Sequence, residues 1–334
     1  MFVVVNHRTT NTKPQTILKM KQYTDTLMMV QPVNFRYNAE TACNNYYQKV
    51  IEGLTDEKAQ KQALEEFNYF VSKLRDKGVN VIVIEDTKNP DTPDSIFPNN
   101  WISFHSSGDV GIYPMFAENR RLERRDDILE TLEKEGFRIE NVVDYSEAEQ
   151  DDIFLEGTGS MILDRVNEKV YASLSKRTDE DLLIEFCDDF EYTPIIFTSY
   201  QTVNGTREPI YHTNVMMAIA DDYAVVCLDS IDDKKEKKAL AQSLKQDGKE
   251  IIPISEDQVN RFAGNMLQVG STDGNKFLVM SDSAFASLHP EQIKTIEKYN
   301  PIIHSSLDTI EACGGGSARC MMAEVFLPKE MKVV

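Results

Sequence analysis

Three stretches of this chain share one design, a strand, a polar turn and a second strand. GSMILDRVNEKVYASLS starts at Gly159, NVMMAIADDYAVVCLDS at Asn214 and NMLQVGSTDGNKFLVMS at Asn265, so the starts lie 55 and 51 residues apart. Another 55 residues lead from Asn265 to Cys320, which opens CMMAEVFLP, and 59 residues back from Gly159 stands Asn100, ahead of WISF and VGIYPM. One such unit cannot bury its apolar face alone, so five at near-constant spacing predict a closed array of repeated βαβ-type modules. An ordinary doubly wound sheet has shorter units without the regular hairpins. Between the hairpins, RRDDILETLEKEG, EDLLIEFCDDF, KKEKKALAQSLKQDGK and HPEQIKTIEKYN carry helical apolar spacing. That alternation of strand and helix places the chain in the α/β class.

Ahead of the repeats, LMMVQPV reads as the first strand and VNVIVIED as a buried one. The stretch between them is expected to be helical from Ala39 to a stop at Gly78. Residues 1–21 read as a polar, poorly ordered leader, and 22–334 as a single catalytic domain. No apolar run reaches the length of a membrane span. The five cysteines, Cys43, Cys187, Cys227, Cys313 and Cys320, are odd in number and lack metal-ligand spacing, so neither a disulfide framework nor a metal site is expected, and a cytoplasmic location is. The formal net charge of −19 argues against a nucleic-acid partner, whose phosphates demand a basic footprint. No phosphate-binding glycine motif appears, and no cofactor is expected.

If the units surround an axis, the loops before their equivalent strands converge. Asn100, Glu156, the segment from His212 to Asn214, Asn265 and Cys320 would then share one cavity. A thiol, an imidazole and a carboxylate brought together are the parts of an activated nucleophile with its acid–base partner. Cys320 follows the Gly314–Gly316 run at the repeat position, which favours it over Cys313. Cys43, Cys187 and Cys227 read as packing residues. His7, His105, His289 and His304 lack a surrounding motif and read as surface or loop residues.

Several motifs in order resemble the guanidino-group-modifying superfamily, which has the five-bladed pentein fold and includes arginine deiminases, dimethylarginine dimethylaminohydrolases and amidinotransferases. PDSIFPNNW (Pro93 to Trp101) is similar to the dimethylaminohydrolase stretch Pro-Asp-Ser-x-Phe-Val-Glu-Asp. PMFAENRRLERR resembles the loop that follows it there. LEGTG resembles Leu-Glu-Gly-Gly-Asp, and YASLSKRT resembles Gly-Leu-Ser-x-Arg-Thr. YHTNV carries the histidine and GGGSARCM the terminal cysteine. QPVNFRYNAETACNNYYQ (Gln31 to Gln48) resembles a bacterial citrulline-utilisation branch. The resemblance runs from about Leu27 to Pro328 and implies a pseudo-symmetric five-bladed α/β propeller of ββαβ-type modules.

The resemblance also implies roles. Cys320 would attack a guanidino or ureido carbon, His212 would move protons, and Glu156 would orient His212. Asp94, Asn100 and Asn214 would meet the substrate's nitrogen end. Arg177, helped by Arg120 or Arg121, would bind its carboxylate, because a guanidinium fork matches that group. The family has acids where this chain has Asn99 and Asn100, and the deiminases have His-x-Asp where it has His212-Thr213-Asn214. An amide both donates and accepts, which suits a neutral ureido group better than a cation. Together with that preference, the resemblance to the citrulline-utilisation branch implies hydrolysis of citrulline to ornithine, carbon dioxide and ammonia. Arginine deimination, dimethylarginine hydrolysis and amidino transfer stand as alternatives, and so does a non-catalytic binding module on the same fold. The segment from Asn34 to Asn45 is expected to close over the site. The partner is a small amino acid, with a homo-oligomer left open.

Overall fold

A computed structural model of the chain describes residues 20–329. Most of the expected leader, with His7, and the last five residues of the expected domain lie outside that range. Each repeat forms a small three-stranded sheet whose first strand runs antiparallel to the second and whose second runs parallel to the third. In chain order these are Ile102–Phe104, Asp109–Ile112 and Asn141–Asp144; then Met161–Asp164, Lys169–Ser173 and Thr193–Phe197. Next come Met217–Ile219, Tyr223–Val226 and Glu250–Pro253; then Leu267–Gly270, Lys276–Ser281 and Ile302–Ser305. The fifth sheet joins distant parts of the chain. Ala323–Glu324 pairs antiparallel with Thr26–Gln31, Leu27 opposite Glu324, and Thr26–Gln31 pairs parallel with Asn80–Glu85.

A parallel pair needs a crossover, and helices supply it here. They are Asp126–Lys134, Glu180–Phe190, Lys234–Gln246, Pro290–Glu297 and Asp56–Asp76. The longest shows why such segments become helical. The Thr55 side chain caps the Lys58 N–H, and acids open the helix where basic residues close it. Ala59, Ala63, Phe67, Phe70, Val71 and Leu74 recur at three- and four-residue steps and are all buried. The fold is mixed α/β, and no described helix is long and apolar enough to cross a membrane.

Four sequence expectations need correction. The helix expected from Ala39 to Gly78 is two helices, Ala39–Ala42 and Asp56–Asp76, because Thr55 starts a second helix with its own cap. Cys320 does not open a strand. It lies in the helical turn Ala318–Met321, and the strand after it is Ala323–Glu324 alone. Cys43 is exposed rather than packed. His105 is buried, with its ring against Phe190 and Nε2 2.8 Å from Ser103 Oγ, and burial depresses its pKa well below the usual histidine range. An additional hairpin, Tyr200–Val203 with Thr206–Pro209, just precedes His212. Its turn, Asn204-Gly205 with both residues at positive φ, was a readable two-residue turn signal.

Candidate active site

A short helical turn stands before the first strand of four units, at Pro98–Asn100, Gly157–Ser160, Thr213–Val215 and Ala318–Met321. The site is built from these turns and from Asn265, which precedes the remaining first strand. Thr41, Asn45, Asp94, Phe97, Asn100, Arg120, Arg177, Tyr211, His212, Gly314, Gly316 and Cys320 line one cavity.

The glycine run gives Cys320 its path. Gly315, at φ +64°, ends the helix Asp308–Gly314 in the left-handed conformation that favours glycine. A Cβ on Gly314 or Gly316 would stand 2.8 or 2.9 Å from the Phe97 ring, so the loop lies closer to that ring than a side chain permits. Ser317 Oγ donates to Glu311 Oε1 at 2.5 Å, and the Cys320 N–H donates to Ser317 O at 3.0 Å. Burial raises the Glu311 carboxyl to about 7, partly offset by hydroxyl donors including Ser317. Two side-chain amides point at the thiol, Asn265 Nδ2 at 3.2 Å and Asn214 Nδ2 at 3.4 Å from Sγ.

His212 and Glu156 pair at 2.6 Å, His212 Nε2 to Glu156 Oε2, both fully enclosed. The other carboxylate oxygen accepts the Phe116 N–H at 2.9 Å, and Arg177 Nη1 stands 3.3 Å from Oε2. Burial opposes ionisation of Glu156, but Arg177 and the His212 hydrogen bond outweigh it and hold the carboxyl well below its usual range. An ionised carboxylate only accepts, so Nε2 carries the proton and Nδ1 is the basic atom. Burial lowers His212 to about 4 against the pull of Glu156. His212 therefore loses its basic form only when pH falls through about 4. The acid limb of kcat/KM should lie near 4, not near the ordinary histidine value, and a pH–rate profile checks it.

The arginines have different surroundings from those expected. Arg120 grips Glu123 with Nε and Nη2 at 2.8 and 3.0 Å, donates Nη1 to Asn100 Oδ1 at 2.7 Å and Nη2 to Phe97 O at 3.0 Å. It lines the cavity and at the same time braces the Asn100 turn. Arg121 donates to Met115 O at 3.0 Å and supports the loop that carries Phe116. Arg177 lines the cavity, yet Nη2 donates to Thr41 O at 3.0 Å, and Nε and Nη2 converge on Asn44 Oδ1. The edge that would meet a carboxylate is held by the covering segment.

That segment, expected as a cover, lies closed. Asn38 Nδ2 and Thr41 Oγ1 donate to Asp94 Oδ2 at 2.7 and 3.1 Å, and Asn45 Nδ2 donates to Gly314 O at 3.3 Å. Asp94 Oδ1 and Asn214 Oδ1 are buried without hydrogen-bond partners among the described residues. Burial raises the Asp94 carboxyl, and the nearby arginines and amides oppose this. Asn100 is more engaged, since Nδ2 donates to Asn99 Oδ1 at 3.1 Å while Oδ1 accepts from Arg120. Sequence reasoning overlooked Tyr211, Asn44 and Thr41 as site residues. Tyr211 stands beside His212, its ring lies 4.8 Å from the Arg177 guanidinium, and its hydroxyl donates to Gly315 O at 2.8 Å.

Residues 31–327 match the family model described as N,N dimethylarginine dimethylhydrolase, eukaryotic. No curated protein sequence matches the chain. The apo crystal structure of ArgZ, an arginine dihydrolase from the ornithine–ammonia cycle in cyanobacteria, aligns with a TM-score of 0.68 at 16% identity, over 92% of this chain and 42% of that one. The N-terminal domain of ArgZ, bound to substrate, gives 0.65 at 16% identity over 90% of this chain and 99% of that one. A dimethylarginine dimethylaminohydrolase carrying an S-methyl-L-thiocitrulline adduct gives 0.57 at 15% identity over 90% and 98%. The chain thus spans under half of the full-length dihydrolase and almost all of its N-terminal domain, and these likenesses show the pentein fold. Because the family match covers nearly all of the described residues, the chain belongs to the N,N dimethylarginine dimethylhydrolase family, within the guanidino-modifying pentein superfamily.

Proposed function

We propose that this chain is a cysteine hydrolase that removes the end carbon of an arginine-like amino acid, with citrulline as its preferred substrate. The observation that carries the reading is one cavity lined by Cys320 and His212, with His212 held by Glu156. A binding module has no use for that trio. The five sheets would close around a common axis, so that 22–334 acts as one catalytic domain.

The chemistry follows from the atoms. As Cys320 Sγ bonds to the ureido carbon, its proton passes to His212 Nδ1. The imidazolium returns a proton to the departing nitrogen as that C–N bond breaks, which leaves a thiocarbamate on sulfur. Neutral His212 then takes a proton from water, whose oxygen bonds to the same carbon and expels the thiolate. The carbamate released loses carbon dioxide, so citrulline and one water yield ornithine, carbon dioxide and ammonia. Glu156 stays ionised throughout and keeps Nδ1 directed away from itself.

Asn214 supports the neutral substrate, since its buried, unpartnered Oδ1 can accept a ureido N–H without adding charge. The resemblance to a ureido-hydrolysing branch supports it too. A second reading, arginine, is favoured by Asp94, whose unpartnered carboxylate oxygen can face a guanidinium, and by the relatives named for arginine. The two separate in one assay, in which citrulline, arginine and dimethylarginine are each incubated with the protein and ornithine, citrulline and ammonia are measured. Citrulline should give the higher kcat/KM by roughly 10-fold or more, the scale of one unsatisfied polar group. A preference for arginine would instead select the second reading.

A further inference from the structure

Asn265 belongs to none of the motifs that carry the family resemblance, yet its side chain makes an unusual set of contacts. It comes from the fourth repeat, is almost fully buried, and lies between the His212 turn and the Cys320 turn. Oδ1 accepts the Arg319 peptide N–H at 3.0 Å, while Nδ2 donates to Cys320 Sγ at 3.2 Å and to Asn214 O at 3.1 Å.

These contacts fix which end of the amide is which. A peptide N–H needs an acceptor, so the atom facing Arg319 must be oxygen, and the atom facing the sulfur must be nitrogen. Flipping the amide would set two donors against each other at Arg319 and two acceptors against each other at Asn214 O. Asn214 contrasts with this. Its Nδ2 also reaches the sulfur, but its Oδ1 has no partner, so nothing comparable locks its orientation.

We infer that Asn265 is a further catalytic residue, a fixed amide donor that stabilises negative charge on the Cys320 sulfur at attack and again when the thiolate departs. A donor oriented before the reaction needs no reorganisation when charge develops, and hydrogen bonding to a charged form favours that form. The same carboxamide also ties the sulfur to the peptide just before Cys320, so one side chain sets both the position of the nucleophile and its electrostatic surroundings. The inference rests on Cys320 being the nucleophile.

Asn265→Asp keeps the oxygen that accepts from Arg319 and replaces the donor to both the sulfur and Asn214 O with an acceptor. Iodoacetamide modification of Cys320, followed by peptide mapping across a pH series, reads the sulfur directly and needs no substrate. The expected result is a modification profile displaced to higher pH, with the rate at neutral pH down by about 10-fold, the equivalent of one pH unit in thiolate fraction. In turnover, kcat should fall while KM changes little. Should the aspartate variant fail to fold by circular dichroism, Asn265→Ala takes its place, since it removes the donor without adding charge, and the same displacement is expected. An unchanged modification profile in the folded variant would overturn the assignment. Wild-type Cys320 that resists iodoacetamide while the protein still turns over substrate would overturn the nucleophile itself, so failure of the inference and failure of the proposed function look different.

Discussion

Cys320→Ser is expected to fold as the parent does and to lose turnover by at least about 10³-fold, since effects of this size follow removal of one member of a nucleophile–base unit. The side chains are nearly the same size and the surroundings suit either, because Asn265 and Asn214 can donate to a hydroxyl as readily as to sulfur. The loss is therefore chemical. A serine hydroxyl is far less acidic than a thiol, and His212, lowered by burial to about 4, is too weak a base to make up the difference. Thermal unfolding and product formation, measured together, check it. A serine variant with near-parental turnover would remove Cys320 from the mechanism.

Gly159→Ala should do the next-largest damage from a position that does not line the cavity. A Cβ built there would lie 2.5 Å from Asn100 Nδ2, 2.8 Å from His212 Nδ1 and 2.9 Å from its Cε1. All three belong to enclosed side chains, so the added methyl must push the imidazole or the Asn100 turn aside. Overpacking of this kind costs about 1–3 kcal/mol in stability. The nearest atom is Asn100 Nδ2 and the next is the basic nitrogen of His212, whose misplacement by about 1 Å can cost 10²-fold in rate. The expected result is a modest fall in melting temperature beside a fall in kcat of about 10²-fold. Parental kcat in the alanine variant would mean that the imidazole has room to move, and that its placement against Glu156 matters less than the geometry implies.

What could be read in the sequence was whatever depends on local pattern. The hairpins from Met161, Met217 and Leu267 were legible because apolar strands flank polar turns, and their shared spacing exposed the repeat. Glu180–Phe190 was legible from its apolar spacing, to its observed ends. The candidate residues Cys320, His212 and Glu156 could be nominated because they lie at or just before the repeat's strand starts, in motifs that resemble the family's, and Cys320 and His212 line one cavity with His212 on Glu156. Contacts between non-equivalent segments were not legible. Nothing local to Arg120 says that Glu123 and Asn100 will take up its donors, and nothing local to Asn44 says that Arg177 will reach it. His105 does lie in a loop, but its burial was not legible because its partners, Ser103 and the distant Phe190, only surround it once two units pack together.

The fifth sheet has a consequence for when such a chain becomes reactive. Its first strand, Ala323–Glu324, follows the Cys320 turn almost at once and is held by Thr26–Gln31 from the far end of the sequence. Forming that pairing closes a loop from Leu27 to Glu324, nearly the whole of the described chain, and long-range contacts are entropically slow to form. A chain with four finished repeats would hold His212 on Glu156 but would keep the Cys320 turn only through its contacts with Asn265 and Asn214. On the proposed chemistry, turnover would then report that the two ends of the chain have met.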